Sequence, residues 1–272
     1  MKYQSAKLTN SEGKMWHIGL DENDIGKHII LPGDPGRCPM VAELFKDGKK
    51  VGESRGNPTY TGTYNDVKVS VMSTGMGSMA VAVCAEELKH IGAKTLIRMG
   101  TSGSLQPNIP DGSFVIATGA VRGEGASREY IDMEYPAIAD IDVVCALRQA
   151  CKEYGVEPYL GIVRSHDAFY LESPGAHGGL EGTKERIMKW VDAGCLAVEN
   201  ESAALFTVSS LIGGVRAGTI LLSGGYLGDS YGSMSGASNV NYAQRVELMS
   251  KITLRAIEII DKLDDLKDIR NA

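Results

Sequence analysis

Short apolar runs alternate along this chain with stretches whose apolar positions return at helical spacing, which predicts strands alternating with helices. Strands are expected at 28–31 (HIIL), 60–64, 67–72, 95–99 (TLIRM), 114–119, 159–163, 195–198 and 219–222. Helices are expected after Arg37 (Met40, Val41, Leu44, Phe45), from Ser78 toward Gly92 (Ala82, Ala85, Leu88, Ile91), over 141–154 and 184–193, after Ser202, and over 242–263. Asn65-Asp66 marks a hairpin turn between two of the strands. Twice, at 31–37 and at 73–78, a strand meets a glycine turn that opens a helix, so the pattern predicts an α/β fold with parallel strands. Donor-rich loops then line one edge of its sheet.

Polar residues inside the apolar runs carry the chemistry. Arg98 interrupts a run that otherwise reads as a buried strand, and a buried arginine needs a negative partner, either a bound anion or a structural carboxylate. The following GTSGS (100–104) reads as a loop whose bare amides and hydroxyls suit an oxyanion. PGDPGR at 32–37 reads either as a second anion cradle, with Gly33 and Arg37, or as a proline-rich turn. At 195–203 an apolar strand runs into Glu199 and Glu201, placed either to accept hydrogen bonds from vicinal sugar hydroxyls or to balance a helix dipole. Two glycine-rich passages, 166–182 with Phe169-Tyr170 and 224–238, have the length of functional loops.

Composition narrows the ligand. The 272 residues are 43% hydrophobic and 23% charged, suiting one large domain, with 1–15 as a flexible polar lead-in. A net charge of -6 gives no general attraction to nucleic acid or anionic lipid, so an anion site has to be a local pocket for a small molecule. The N-terminus lacks the apolar core of a signal peptide and no run is long enough to span a membrane, so a cytoplasmic protein is expected. Cys38, Cys84, Cys145, Cys151 and Cys195 show no CxxC spacing, and neither a disulfide framework nor a metal site is expected.

Taken in order, HIGLDENDI (17–25), LPGDPGR (31–37), STGMG (73–77), EEL…GAKTLIRMGTSGSLQP (86–107), RGEGAS…EYPAIAD (122–140) and VENESAAL (198–205) resemble the nucleoside phosphorylase-I family, most of all its uridine phosphorylase branch. The resemblance implies a single-domain, three-layer αβα sandwich around a mixed, mostly parallel, distorted barrel-like sheet. It also implies replacement of a nucleoside's base by phosphate at C1 of the ribose, without a metal or organic cofactor and with inorganic phosphate as co-substrate. On the matching positions, Gly33, Arg37, Arg98 and Thr101 correspond to the phosphate site, and Arg55 to the phosphate arginine lent by a neighbouring subunit. His17 corresponds to the histidine that reaches the ribose 5′-hydroxyl across the same interface. Glu201, with Glu199, Asn200 and Met76, falls at the ribose site, and Phe169 matches the aromatic that stacks on the base. Arg98, Glu201 and His17 are thus the expected catalytic set, in an oligomer that is at least a dimer and in this family often a trimer of dimers.

The base site departs from the resemblance. Uridine phosphorylases carry a glutamine and an arginine just after the Phe-Tyr pair, where this chain reads LESPGAHGG; Asn200 replaces a methionine, and Trp16 replaces an aromatic beside His17. Purine phosphorylases carry an aspartate where this chain has Ser223-Gly224-Gly225-Tyr226. His166, Glu172, His177, Tyr226 and Asp229 are the polar candidates to substitute. The sequence therefore favours a uridine phosphorylase, with a purine or modified-nucleoside phosphorylase and a silent nucleoside-binding protein as alternatives. A hydrolase fits worse, because Arg37, Arg55 and Arg98 would be left as three buried charges without their anion.

Overall fold

The computed structural model describes residues 3–172, 178–227 and 240–271. The first apolar run is β1 (His28–Pro32), buried at every position, and it leads through the proline-glycine turn into a short α1 (Arg37–Ala42). A meander of β2 (Lys46–Ser54), β3 (Asn57–Tyr64) and β4 (Val67–Met72) follows, then α2 (Ser78–His90) and β5 (Thr95–Ser104). Next come β6 (Phe114–Gly123), α3 (Ala126–Tyr130), a two-residue β7 (Ala137–Ile138), α4 (Ile141–Glu153) and β8 (Tyr159–His166). A 3-10 turn at Phe169–Glu172 precedes α5 (Gly179–Asp192), β9 (Ala197–Glu199), α6 (Ser202–Ile212), β10 (Arg216–Tyr226) and α7 (Tyr242–Asn271).

All of the strands join one mixed sheet that closes on itself. β5 pairs with β10 along its whole length, β10 with β6, β6 with β8, β8 with β9, and β9 returns to β5 at Gly103 and Ser104. From the other side of β5 the sheet continues through β1, β4, β3 and β2. β1, β4, β5 and β10 run parallel to one another, whereas β10–β6 and β5–β9 are antiparallel contacts. The barrel-like, mostly parallel sheet expected from the resemblance is thus present.

Adjacent strand residues point to opposite faces, and β10 shows what each face carries. Thr219 Oγ1 meets Ser202 Oγ of α6 at 3.1 Å, whereas a Cβ on Gly218 would fall 2.2 Å from Val143 of α4. Helices therefore cover the sheet from both sides. α6 is apolar on nearly all sides (Ala203, Ala204, Leu205, Phe206, Val208), as befits a helix packed among α2, β6 and β10. The far end of α7 is held by ion pairs of Asp261 with Lys27 (2.7 Å) and of Asp264 with Arg216 (2.6 Å).

Several boundaries differ from the sequence-based expectation. GTSGS is not a loop: β5 continues to Ser104, because β9 and β10 supply ladder partners for backbone that its small side chains leave accessible. β6, β8 and β10 run three or four residues past their apolar cores for the same reason. β2 (KDGKKVGES) carries no apolar pattern and exists as the outer partner of β3, with Asp47 in a left-handed conformation at a register shift. The helix expected through Phe45 stops at Ala42, since the chain must turn into β2. The lead-in is tied down from Tyr3 onward: the Tyr3 hydroxyl donates to Glu86 (2.5 Å), Ser5 meets His90 (2.8 Å), and Met15 is buried. Four of the five cysteines are buried, Cys145 is exposed, and all are free thiols.

Candidate active site

The C-terminal ends of β1, β4, β8 and β9 converge on the second half of β5 around a cavity of about 700 Å³. Its floor is Arg98, only 5% exposed. Arg98 Nε donates to Glu199 Oε2 at 2.8 Å and Nη2 to Glu201 Oε2 at 2.5 Å. Burial pulls the guanidinium's pKa down, but Glu201 and Glu199 outweigh it, and the net shift is upward. The carboxylate alternative for Arg98 is the one the structure shows: carboxylates fix two of its nitrogens, and Nη1 is turned toward Gly33. Gly100 makes the space, because a Cβ there would lie 2.8 Å from Nη2.

Arg37 lines the same cavity from the start of α1. It is half-buried, burial lowers its pKa, and it forms no ion pair among the described residues. Thr101 and Gly33 complete this end. Arg98, Arg37, a bare backbone and a hydroxyl therefore face one volume, which suits a tetrahedral oxyanion.

The two carboxylates have separate duties. Glu199 accepts from the Ser165 hydroxyl and from the backbone N–H groups of Glu201 (2.9 Å) and Ser202 (3.0 Å), the orphan donors at the start of α6. Its oxygens are consumed inside the protein, as the helix-dipole alternative implied. Among the described residues Glu201 has Gly77 N–H (2.6 Å) and Arg98 as partners, so it keeps acceptor capacity at the cavity surface. Asn200 sits between them with its amide donating to the His166 carbonyl, which ties the end of β9 to the end of β8.

The opposite end is apolar. Phe169, Val198 and Leu227 line it, together with His166 and Ser102. Tyr226, expected at the base, does not line the cavity. The β5–β10 register shifts between Ser223 and Tyr226, and Leu227 comes over Gly103 in its place, within 2.6 Å of where a Cβ would stand. Glu172 closes the 3-10 turn, while His177 and Asp229 lie outside the described residues. Met76 borders the cavity at 88% exposure.

A model of the phosphorylase superfamily matches residues 27–258. The chain belongs to that superfamily. Across 217 residues it is 46% identical to a uridine phosphorylase of Treponema pallidum, covering 79% of this chain and 84% of the relative. It is 38% identical to a uridine phosphorylase of Thermococcus kodakarensis over 80% of each chain, and 35% identical to a guanosine phosphorylase of Halorubrum lacusprofundi over 90% of this chain and 98% of that one. The crystal structure of a uridine phosphorylase from Vibrio fischeri superposes with a TM-score of 0.76 at 30% identity, over 94% of this chain and all of the other.

Two residues expected at the site of this superfamily member stand away from its own cavity. Arg55 is exposed at the tip of the β2–β3 hairpin in a left-handed conformation (φ 53°), and so is no buried charge. His17 lies beside α2, where Nδ1 meets Glu87 Oε1 at 2.6 Å and Glu87 also accepts the backbone N–H groups of His17 and Ile18. A carboxylate only accepts, so Nδ1 carries a proton and donates to Glu87, which fixes the ring with Nε2 turned away from it. Glu87, Gly77, Ser165 and Asp167 escaped sequence analysis. Asp167 accepts from Ser78 Oγ (2.8 Å) and Gly125 N–H (2.7 Å), fixing the loop after β8 to α2 and α3. Arg122 is likewise structural, since its guanidinium donates to the Ser127 hydroxyl and to the carbonyls of Ser127, Ile131, Asp132 and Tyr135. In the same turn the Glu124 carboxylate accepts from the Ser127 backbone N–H (2.9 Å) and hydroxyl.

Proposed function

We propose that the protein is a nucleoside phosphorylase acting on uridine. One observation carries the reading: Arg98 is clamped by Glu199 and Glu201 with Nη1 turned toward Gly33, in a cavity where Arg37 has no ion pair among the described residues and Glu201 retains acceptor capacity. Phosphate sits between Arg98, Arg37, Gly33 and Thr101, and Glu201 accepts the ribose 2′- and 3′-hydroxyls. The C–N bond breaks with its electron pair going to the base while a phosphate oxygen bonds to C1. The positive character building on the ribose is stabilised by the phosphate and Glu201 held beside it. Glu199 holds Arg98 in place rather than touching sugar. The reaction requires no metal or organic cofactor.

His17 and Arg55, both off the cavity and accessible, act in the site of a neighbouring subunit, so the working unit is at least a dimer and is expected to be a trimer of dimers. Glu87 presents Nε2 of His17 to a 5′-hydroxyl. The exposed Trp16, Met76 and Met79 support that interface.

Uridine rests on the names of the relatives and the structural neighbour. A purine nucleoside is the second reading, favoured by the 35% identity to a guanosine phosphorylase over nearly its full length. Hydrolysis is weaker, although Arg55 is exposed and Arg98 is already ion-paired, because Arg37 still lacks an anion. Base release from uridine, thymidine, inosine and adenosine, each with and without phosphate, tests all of these. Phosphate-dependent release confirms the class and names the base; phosphate-independent release means a hydrolase; binding without ribose 1-phosphate formation means a silent binder.

A further inference from the structure

We propose that Leu227, laid over Gly103 by a bulge in β10, sets how large a nucleobase the cavity accepts. The inference rests on the phosphorylase reading and names the side chain that selects among its bases. With phosphate at Arg98 and ribose at Glu201, the base points to the end lined by Phe169, Val198 and Leu227, and a two-ring base reaches further from C1 of the ribose than a one-ring base. The bulk that stands at that end then decides between them.

The placement follows from the chain. β10 pairs in parallel with β5, with Ser223 opposite Ser102 and Tyr226 opposite Ser104, so three steps along β10 match two along β5. The extra residue falls within Ser223-Gly224-Gly225-Tyr226, where Gly225 takes a left-handed conformation (φ 81°). Such a bulge re-aims the side chains that follow it. The Leu227 N–H donates to the Ser104 carbonyl at 3.0 Å, so the chain stays attached to β5 beyond the bulge. On the other side of β5, Gly103 stands opposite Val198 of β9, and paired residues share a face of the sheet. Gly103, Val198 and Leu227 therefore meet on the cavity side, and all three line it.

The contact is close. A Cβ on Gly103 would lie 2.6 Å from Cδ1, 2.9 Å from Cγ and 3.1 Å from Cδ2 of Leu227, so the whole isobutyl group fills the space above the glycine. Leu227 also packs on the small cluster of Leu105, Ile187, Cys195 and Val198, which leaves the cavity as the side toward which it yields. Its side chain has no polar atom, so it discriminates by bulk alone. In an apolar pocket one methylene shifts the preference between substrates by about 10- to 200-fold. The test therefore compares uridine with inosine in wild type, Leu227→Ala, Gly103→Ala and the double variant, with the KM for phosphate as the check on the rest of the site.

Leu227→Ala is expected to raise the kcat/KM ratio of inosine to uridine at least about tenfold, and Gly103→Ala, which presses the leucine into the cavity, to lower it about tenfold, with the phosphate KM unchanged in both. Because the added Cβ acts through the leucine, the double variant should stand within about threefold of Leu227→Ala. Where one nucleoside is not turned over, its Ki against the other takes the place of its kcat/KM. A Leu227→Ala ratio within about threefold of the wild type, a phosphate KM that moves with it, or a Gly103→Ala effect that persists in full in the double variant overturns the proposal. Should Gly103→Ala fail to fold, Leu227→Met, which conserves volume, carries the test beside Leu227→Ala: it should keep the wild-type ratio, and a shift equal to that of the alanine overturns the proposal. Should the wild type release base from neither nucleoside, the phosphorylase reading fails, and calorimetry with uracil and hypoxanthine decides the role of Leu227. A shift of at least about tenfold toward hypoxanthine in Leu227→Ala supports it; no shift, or binding of neither base by the wild type, ends it.

Discussion

The two ends of the cavity are built on opposite physical plans. At the end formed by β1, β5 and β9, three charged groups have been given a geometry: Glu199 is fixed by two backbone N–H groups and Ser165, Arg98 by Glu199 and Glu201, and Glu201 by Gly77. At the end formed by β8 and the turn after it, apolar side chains dominate and Phe169 is 45% exposed. On the proposed function, the first end is preorganised for one chemistry, placing an anion beneath a sugar. The second sets few hydrogen bonds in advance and so leaves room for different bases. A superfamily whose members are named for uridine and for guanosine needs that division.

The largest expected effect comes from breaking the ordered end. Arg98→Ala removes the anion donor and leaves Glu199 and Glu201 as buried, uncompensated charges. Unpairing a buried ion pair costs about 3–5 kcal/mol, so the variant should melt well below the wild type and lose at least about 1,000-fold in kcat/KM for phosphate. Steady-state kinetics beside thermal melts check both; a normal phosphate KM would remove Arg98 from the anion site. Glu201→Gln is milder, because the amide still accepts from Gly77 and Glu199 still neutralises Arg98. About a 100-fold loss in kcat/KM is expected with a modest change in melting temperature, since a charged acceptor for the ribose hydroxyls is replaced by a neutral one.

Gly100→Ala attacks the same end through space alone. The new Cβ would sit 2.8 Å from Arg98 Nη2, 2.9 Å from Cζ and 3.0 Å from Leu221. Arg98 has no freedom to yield, because two carboxylates hold it. The substitution should destabilise by about 1–3 kcal/mol and raise the phosphate KM about tenfold, with less effect on the affinity for free base. An unchanged phosphate KM would mean that the guanidinium position is not set by its glycine neighbour.

The ordered end was also the more legible in sequence, for a physical reason. An arginine inside TLIRM and a carboxylate pair after an apolar strand contradict their surroundings, and such contradictions mark where burial has been paid for by function. Sequence could not divide the work of Glu199 and Glu201, because that depends on which carboxylate meets the first N–H groups of α6. That Leu227 rather than Tyr226 lines the cavity follows from a register shift between Ser223 and Tyr226, which is invisible in a glycine-rich strand end. Glu87 went unnoticed beside His17, as the two are 70 residues apart and meet only when the lead-in packs on α2. β2 was hidden for a simpler reason: an edge strand of lysines and glycines has no apolar face to betray it.

The smallest effect belongs to the apolar end, and it sharpens the contrast. Phe169 stands in a 3-10 turn, exposed on one side and edge-on to Tyr170 with ring centroids 5.3 Å apart. Its ring offers a flat surface to a base but holds no charge that changes during the reaction. Binding that is equal in ground state and transition state lowers KM without raising kcat. Phe169→Ala should therefore raise the nucleoside KM about tenfold, as expected for a lost stacking contact of ~1–3 kcal/mol, with kcat and the phosphate KM nearly unchanged. Phe169→Tyr should restore the wild-type KM, since the stacking face is kept. A fall in kcat equal to the rise in KM would mean that the aromatic ring is used in the transition state itself, and the apolar end would then be as much a part of the chemistry as the charged one.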